Sequence, residues 1–204
     1  MNDLHRKGFV KATLSGDAWS CCKQMIGSDR TGKMYPENWT WERHFPKLNI
    51  ELDKRLRKGY FGGINYSANW GKNVATEEHP IWHEDIHSSY PSTMYADPLP
   101  MGIPTMTDRW PDDYQLYIAE VRMKMTLKEG LKPWYQFKHA YDNIIENWEY
   151  GTLVEQTYEW HEMTLTSVDL TTLSQWYDLE FDESYPSTFF IFKTCEGLLA
   201  PYID

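Results

Sequence analysis

Residues 121–128 carry the pattern that most restricts the fold, because apolar and polar side chains alternate there one by one. The apolar positions are Val121, Met123, Met125 and Leu127, and the polar positions between them are Arg122, Lys124, Thr126 and Lys128. Successive side chains of a β-strand point to opposite faces of its sheet. The run therefore predicts a strand with one apolar and one basic face, in a chain that builds a sheet.

A helix is predicted upstream of this strand, over residues 50–58. Leu52, Leu56 and then Tyr60 follow one another at helical spacing, and the helix is expected to end at Gly59 or just before Gly62 and Gly63. A second, shorter helix is predicted over residues 18–25.

A capped amphipathic helix is predicted over residues 167–177, and an aromatic strand over residues 189–192. The helix is expected to point Val168, Leu170, Leu173 and Trp176 inward. Helices mixed with several antiparallel strands predict an α+β fold class.

The net charge of this 204-residue chain is −10, and its pI is near 5.1. With 41% apolar and 16% aromatic residues, the chain is not of the disordered class. The charge is unevenly distributed, since residues 1–72 have a net charge of +6 and residues 73–204 a net charge of −16. An acidic pI therefore does not exclude a nucleic-acid partner for this chain.

The cysteines Cys21, Cys22 and Cys195 are typical of reduced thiols in a cytosol, because their number is odd and two are adjacent. The first residues lack the apolar segment of a signal peptide, and no apolar run approaches the roughly 20 residues that span a bilayer. We therefore expect a cytoplasmic protein without a membrane partner.

Residues 83–87 read HEDIH, which matches the HExxH pattern of zinc hydrolases. On a helix this pattern places two imidazoles one turn apart for zinc, with Glu84 as the general base. Pro80 and Pro91 limit any helix here to little more than two turns. With His161 as a third ligand, a zinc hydrolase is kept as an alternative function.

The same segment also fits a strand, a tight turn and a helix. Residues 82–86 are predicted to form a short strand ending at Asp85 and Ile86, and the helix would place Pro91 near its first turn and continue through Tyr95. A carboxylate at the strand end is able to bind Mg²⁺, and N–H groups at a helix start favour an anion. This pair of features suits nucleotidyl transfer.

Residues 85–91, DIHSSYP, resemble the first palm motif of protein-primed family B DNA polymerases, which reads Asp-x-x-Ser-Leu-Tyr-Pro, with Ser89 in place of the leucine. Residues 60–63, YFGG, resemble the Tyr-x-Gly-Gly motif of the same family, and the interval to Asp85 also fits. With further colinear segments, the resemblance covers about residues 8–204. It implies a DNA-directed DNA polymerase, in the host cytoplasm if a phage encodes it.

The resemblance implies roles for the residues of the first palm motif. Asp85 would be catalytic and would hold Mg²⁺ together with the carbonyl oxygen of Ile86. The backbone of Ser88, Ser89 and Tyr90 would bind the incoming deoxynucleoside triphosphate. The ring of Tyr90 would exclude a 2′-hydroxyl group.

The Tyr-x-Gly-Gly motif implies a contact with DNA. Its residues Tyr60, Gly62 and Gly63 would bind the template strand. The implied partners are therefore template and primer DNA, the incoming nucleotide and a priming terminal protein.

The resemblance divides the chain into four segments of a partial palm, an antiparallel sheet with helices that carries a small inserted lobe. Residues 1–63 would follow an exonuclease domain, and residues 64–131 would contain the first palm motif. Residues 132–165 would form the insertion that contacts the terminal protein, and residues 166–204 would return to the palm. Residues 139–162 contain six carboxylates and no Lys or Arg, which favours a basic protein partner over DNA.

The family's second carboxylate motif, Asp-Thr-Asp, has no match in this sequence, and Glu180-Phe181-Asp182 is the nearest pattern. Two-metal phosphoryl transfer needs at least two carboxylates that bridge the ions. We therefore expect this chain alone to be inactive, and a second polymerase chain would be needed to complete the site. A non-catalytic module that docks a terminal or replication protein is the alternative from a different class.

Overall fold

The computed structural model describes residues 45–60, 74–82, 84–85, 89–112, 115–136, 153–197 and 199. The helices are α1 (Ile50–Arg57), α2 (Ser89–Ala96) and α3 (Ser167–Trp176). The strands are β1 (Leu99–Thr107), β2 (Leu116–Leu127), β3 (His161–Thr166), β4 (Tyr177–Phe181) and β5 (Thr188–Cys195). The predicted α+β class is confirmed, and the helix predicted over residues 18–25 lies outside the described residues.

The long strand β2 is the centre of a sheet in which β3, β4 and β5 all pair with it in antiparallel register. The sheet order is β1-β5-β2-β3, with β4 also paired with β2. In this register Val121 faces Met163 of β3, Met125 faces Leu179 of β4, and Ala119 faces Phe189 of β5. The strand predicted from residues 121–128 is therefore confirmed and forms the middle of the sheet.

The core lies on one face of β2, because its alternating pattern separates apolar from polar side chains. Val121, Met123 and Met125 are buried, whereas Arg122 and Lys124 between them remain partly exposed. The other buried apolar residues of this core are Ala119, Tyr135, Val154, Met163, Leu165, Leu170, Leu173, Tyr177 and Phe189. Phe190 is also buried, but it follows Phe189 on β5 and therefore points to the other face. Full burial of each large apolar side chain stabilises the fold by roughly 1.5–3 kcal/mol.

Helix α1 forms at the predicted position and ends one residue earlier than expected, at Arg57. The side chain of Asn49 caps it by accepting a hydrogen bond of 2.8 Å from the backbone N–H of Leu52. Acidic side chains in its first turn and basic side chains in its last turn both stabilise the helix by interacting favourably with the helix dipole.

Helix α3 also forms as predicted, and a reciprocal capping box between Thr166 and Asp169 begins it. Leu170 and Leu173 are buried, but the prediction that Val168 points inward is wrong, because its side chain is 62% exposed. The helix ends at Trp176, and Tyr177 is the first residue of β4.

The chain divides into two compact units, which are described separately. The first contains Met1–Lys47, Glu84–Ile103 and Lys193–Asp204, and the second contains Leu48–His83 and Pro104–Phe192. The four segments expected from the family resemblance stay a prediction. None of the helices in the described ranges is long and apolar enough to cross a membrane.

Candidate functional site

The segment that carries the first palm motif contains a helix but not the strand predicted before it. Trp82, Glu84 and Asp85 are exposed and lie outside any strand, so the strand prediction for residues 82–86 is wrong at these positions. A strand needs hydrogen-bonded neighbours, and these residues pair with none of the strands β1 to β5. The carboxylate of Asp85 is open to solvent.

Helix α2 begins at Ser89, four residues after Asp85, and has Pro91 in its first turn, as predicted. Proline suits this position, because a helix leaves its first N–H groups without intrahelical partners. The backbone N–H groups of Ser89 and Tyr90 are among these, and the first turn contains no acidic side chain. The helix start therefore suits an anion such as a phosphate.

Tyr90 follows immediately, and its side chain is 81% exposed, so its ring is open to a ligand. The other predicted members of this site, Ile86 and Ser88, lie outside the described residues, and so do His83 and His87.

The described residues do not complete a metal site around Asp85. No group of three or more His, Cys, Asp or Glu side chains suited to one ion occurs within them. Asp182, from the nearest match to a second carboxylate motif, already pairs with Arg122 at 3.4 Å and accepts hydrogen bonds of 3.0 and 2.6 Å from Ser184. The Mg²⁺ role that the resemblance implies for Asp85 therefore stays a prediction.

Tyr60 leaves the end of α1 with its side chain 79% exposed. Its backbone N–H donates to the carbonyl oxygen of Arg57 at 3.1 Å, which holds it to the last turn of the helix. Gly62 and Gly63 of the same motif lie outside the described residues.

Gly59, directly before Tyr60, is buried against the sheet. A Cβ atom there would meet Ile118 Cγ2 of β2 and Thr164 Cγ2 of β3, each at 3.5 Å. These are ordinary van der Waals distances, so the backbone that leads to Tyr60 lies close to β2 and β3.

An ion pair that no sequence pattern indicates joins α1 to the sheet. Arg55 Nε donates hydrogen bonds to both carboxylate oxygens of Glu120, at 3.0 and 3.2 Å, and Arg55 Nη2 also donates to Glu120 Oε2. The Arg55 guanidinium lies 4.7 Å from the ring centroid of Phe190 on β5. Hydrogen bonding to Glu120 raises the pKa of Arg55 above its ordinary value, so the guanidinium stays charged.

Comparison with known proteins supplies the context for this geometry. The family model described as DNA polymerase type B, organellar and viral, matches residues 5–204. The chain belongs to this polymerase family. The DNA polymerase of Bacillus phage PZA is 32% identical over 202 residues, and that of Bacillus phage Nf is 30% identical over the same length.

Each of these two alignments covers 98% of this chain and 32% of the phage polymerase. A solved structure of phi29 DNA polymerase with primer-template DNA and incoming nucleotide substrates has a TM-score of 0.70 and 25% identity. That similarity covers 98% of this chain and 32% of the phi29 chain. This type B polymerase chain thus spans about a third of the length of the relatives it matches.

Membership of the polymerase family leaves the zinc hydrolase alternative without support. His161, its expected third ligand, is the first residue of β3 and faces Met123 in the sheet register. Partial burial lowers the pKa of His161, and the charge of Glu159 partly opposes this shift.

The base of the predicted insertion in this polymerase chain is well ordered by hydrogen bonds. Gln136 and Leu153 form an antiparallel bridge, and the N–H of Val154 donates to the carbonyl oxygen of Tyr135 at 2.9 Å. Trp134 and Tyr135 pack into the core beside this bridge.

Proposed function

We propose that this chain forms part of the palm of a protein-primed DNA-directed DNA polymerase, with the first palm motif as its catalytic segment. The observation that carries the proposal is the family match over residues 5–204. Similarity to phi29 DNA polymerase in complex with primer-template DNA and nucleotides supports DNA and deoxynucleotides as ligands.

Residues at the start of α2 are proposed to bind the incoming nucleotide. The backbone of Ser88, Ser89 and Tyr90 would hold the triphosphate, and the Tyr90 ring would lie against the sugar and exclude a 2′-hydroxyl. The unpaired N–H groups expected at a helix start and the exposure of Tyr90 support these roles.

Asp85 is proposed to hold Mg²⁺ with the carbonyl oxygen of Ile86. When bound, the metal would neutralise phosphate charge and favour nucleotidyl transfer. One carboxylate is too few for a two-metal site, so we propose that the second comes from outside this sequence, from a further segment or a second polymerase chain. This chain alone would then bind nucleotide weakly and would not polymerise DNA.

Tyr60, Gly62 and Gly63 are proposed to contact the template strand. The exposed ring of Tyr60 suits stacking on an unpaired base. The net charge of +6 over residues 1–72 supports a phosphate-binding surface in the segment that leads to this motif.

Residues 132–165 are proposed to dock the priming terminal protein. The acidic composition of residues 139–162 supports a basic protein partner, because carboxylates repel the phosphates of DNA.

Mg²⁺-dependent binding of a deoxynucleoside triphosphate tests the proposed role of Asp85. Titration by calorimetry should give binding with Mg²⁺ that an Asp85→Asn variant loses. The matched control is Asp97→Asn, which removes an exposed carboxylate one residue after α2. Equal affinity in the wild type and Asp85→Asn would contradict the proposal, and capture of a terminal protein without nucleotide binding would favour the non-catalytic docking module instead.

A further inference from the structure

One charged side chain connects the end of α1 to the sheet. No residue of α1 is fully buried, and its apolar residues Leu52 and Leu56 are half-buried. Arg55 reaches Glu120 on β2 with a forked set of hydrogen bonds and lies over the ring of Phe190 on β5. The guanidinium therefore connects the helix to two strands at once.

The attachment lies one turn before the exposed tyrosine of the proposed template contact. The N–H of Lys58 donates to the carbonyl oxygen of Arg55 at 3.2 Å, and those of Gly59 and Tyr60 donate to the next two residues of α1. Any shift of the Arg55 turn is thus transmitted through the backbone to Tyr60. Gly59 packs against the sheet, and this contact limits such a shift only while α1 keeps its position on the sheet.

We propose that the Arg55–Glu120 pair is a positioning device for Tyr60 that sets its affinity for single-stranded DNA. The inference rests on the proposed DNA contact of Tyr60. Neither side chain needs to contact DNA, because the pair acts by fixing the position of α1 against β2. The two residues are 65 positions apart, so the pair couples the template motif to the strand that centres the sheet.

The ion pair is tested with a Glu120→Gln variant, which removes one negative charge while keeping the shape of the side chain. Asp53→Asn is the matched control, since Asp53 pairs with Arg57 at 2.7 Å within α1 and does not join the helix to the sheet. Both variants change the net charge equally, so a general electrostatic effect on DNA binding is the same in both.

Two readouts are measured on the full chain. Amide hydrogen exchange at Gly59 and Tyr60 should be faster in Glu120→Gln than in wild type or Asp53→Asn. Binding of a fluorescent single-stranded oligonucleotide should weaken about fivefold in Glu120→Gln relative to Asp53→Asn, as expected for coupled neighbours. The doubly exchanged variant Arg55→Glu with Glu120→Arg keeps an ion pair but loses the contact of the guanidinium with Phe190, so it should restore both readouts only in part.

Measuring Glu120→Gln in a Tyr60→Ala variant separates the positioning of Tyr60 from a general loss of structure. If the pair acts through Tyr60, adding Glu120→Gln to Tyr60→Ala should cause no further loss of affinity. Unchanged amide exchange in Glu120→Gln, or a full additive loss in the Tyr60→Ala background, would overturn the inference. Equal DNA affinity of wild type and Tyr60→Ala would instead refute the proposed template contact itself.

Discussion

The phenol oxygen of Tyr177 donates a hydrogen bond of 2.9 Å to the backbone carbonyl of Val154 inside the core. The same oxygen accepts from the backbone N–H groups of Trp134 and Tyr135, at 3.3 and 3.4 Å. One side chain at the start of β4 thus joins two backbone segments within the predicted insertion, near its two ends.

Replacing Tyr177 by Phe should destabilise the chain by about 1–3 kcal/mol, because a buried carbonyl oxygen loses its donor. Urea unfolding followed by tryptophan fluorescence measures the change. The control is Tyr158→Phe, whose side chain is 77% exposed and which should alter stability by less than about 0.5 kcal/mol. Equal stability of the two variants would show that the hydrogen bonds of Tyr177 do not support the fold.

The observed orientation of α3 predicts unequal effects of two truncations on one helix. Leu173→Ala should cost about 2–5 kcal/mol because its side chain is fully buried. Val168→Ala, at an exposed position, should cost less than about 0.5 kcal/mol. Thermal unfolding of both variants checks the difference, and a larger loss for Val168→Ala would contradict the orientation.

Ser184 should control the acid titration of Asp182. Its hydroxyl and backbone hydrogen bonds, with the charge of Arg122, lower the pKa of Asp182 below its ordinary 3.8. A carboxyl with a lower pKa in the folded state stabilises the fold above its unfolded pKa, and this contribution is lost as pH falls through the folded pKa.

Ser184→Ala should therefore raise the pKa of Asp182 toward its ordinary value and reduce the part of stability that is lost below about pH 4. Carboxyl carbon chemical shifts measured by NMR over a pH titration report the pKa directly. Ser187→Ala is the neighbouring control. An unchanged pKa of Asp182 in Ser184→Ala would show that the Ser184 hydroxyl does not cause the lowered pKa.

The isolated chain should not extend a primer with Mg²⁺ and deoxynucleotides, because Asp85 would lack the second carboxylate of a two-metal site. A primer-extension assay compares the purified chain with Asp85→Asn, and both should give the same background. Template-dependent extension that Asp85→Asn abolishes would show that this sequence contains a complete catalytic site.

Carboxylates of the acidic segment should contribute to capture of a terminal protein. Glu155 and Glu159 are exposed, so replacing both with Gln should weaken capture about two- to fivefold at low salt. Glu77→Gln with Glu78→Gln is the control, since both carboxylates are exposed and lie outside the insertion. Weaker binding to bare duplex DNA in the Glu155 and Glu159 variant would show that this segment binds DNA instead.

The parts of the fold that local periodicity determines could be predicted from the sequence. Helix α1 and strand β2 form where the pattern places them, because each pattern matches the geometry of one element. Val168 was misplaced because residues two positions apart on a helix lie about 200° from each other, so Val168 and Leu170 cannot share a face.

The site was harder to predict, because it depends on contacts between distant segments. The strand predicted over residues 82–86 has no partner among strands β1 to β5, and strand pairing cannot be read from one segment. The proposed site residues Asp85, Ser89 and Tyr90 come from one family motif, and Tyr60 comes from another. The Arg55–Glu120 pair lies in no motif, and only the folded chain brings the two side chains together.

The bridge between Gln136 and Leu153 has an evolutionary consequence. Where two backbone positions far apart in sequence are bridged, the segment between them can change in length at little entropic cost to the fold. The core residues around Tyr177 would then be inherited unchanged while that segment diverges. If the segment docks the terminal protein, as proposed above, partner choice can evolve by changes within it alone.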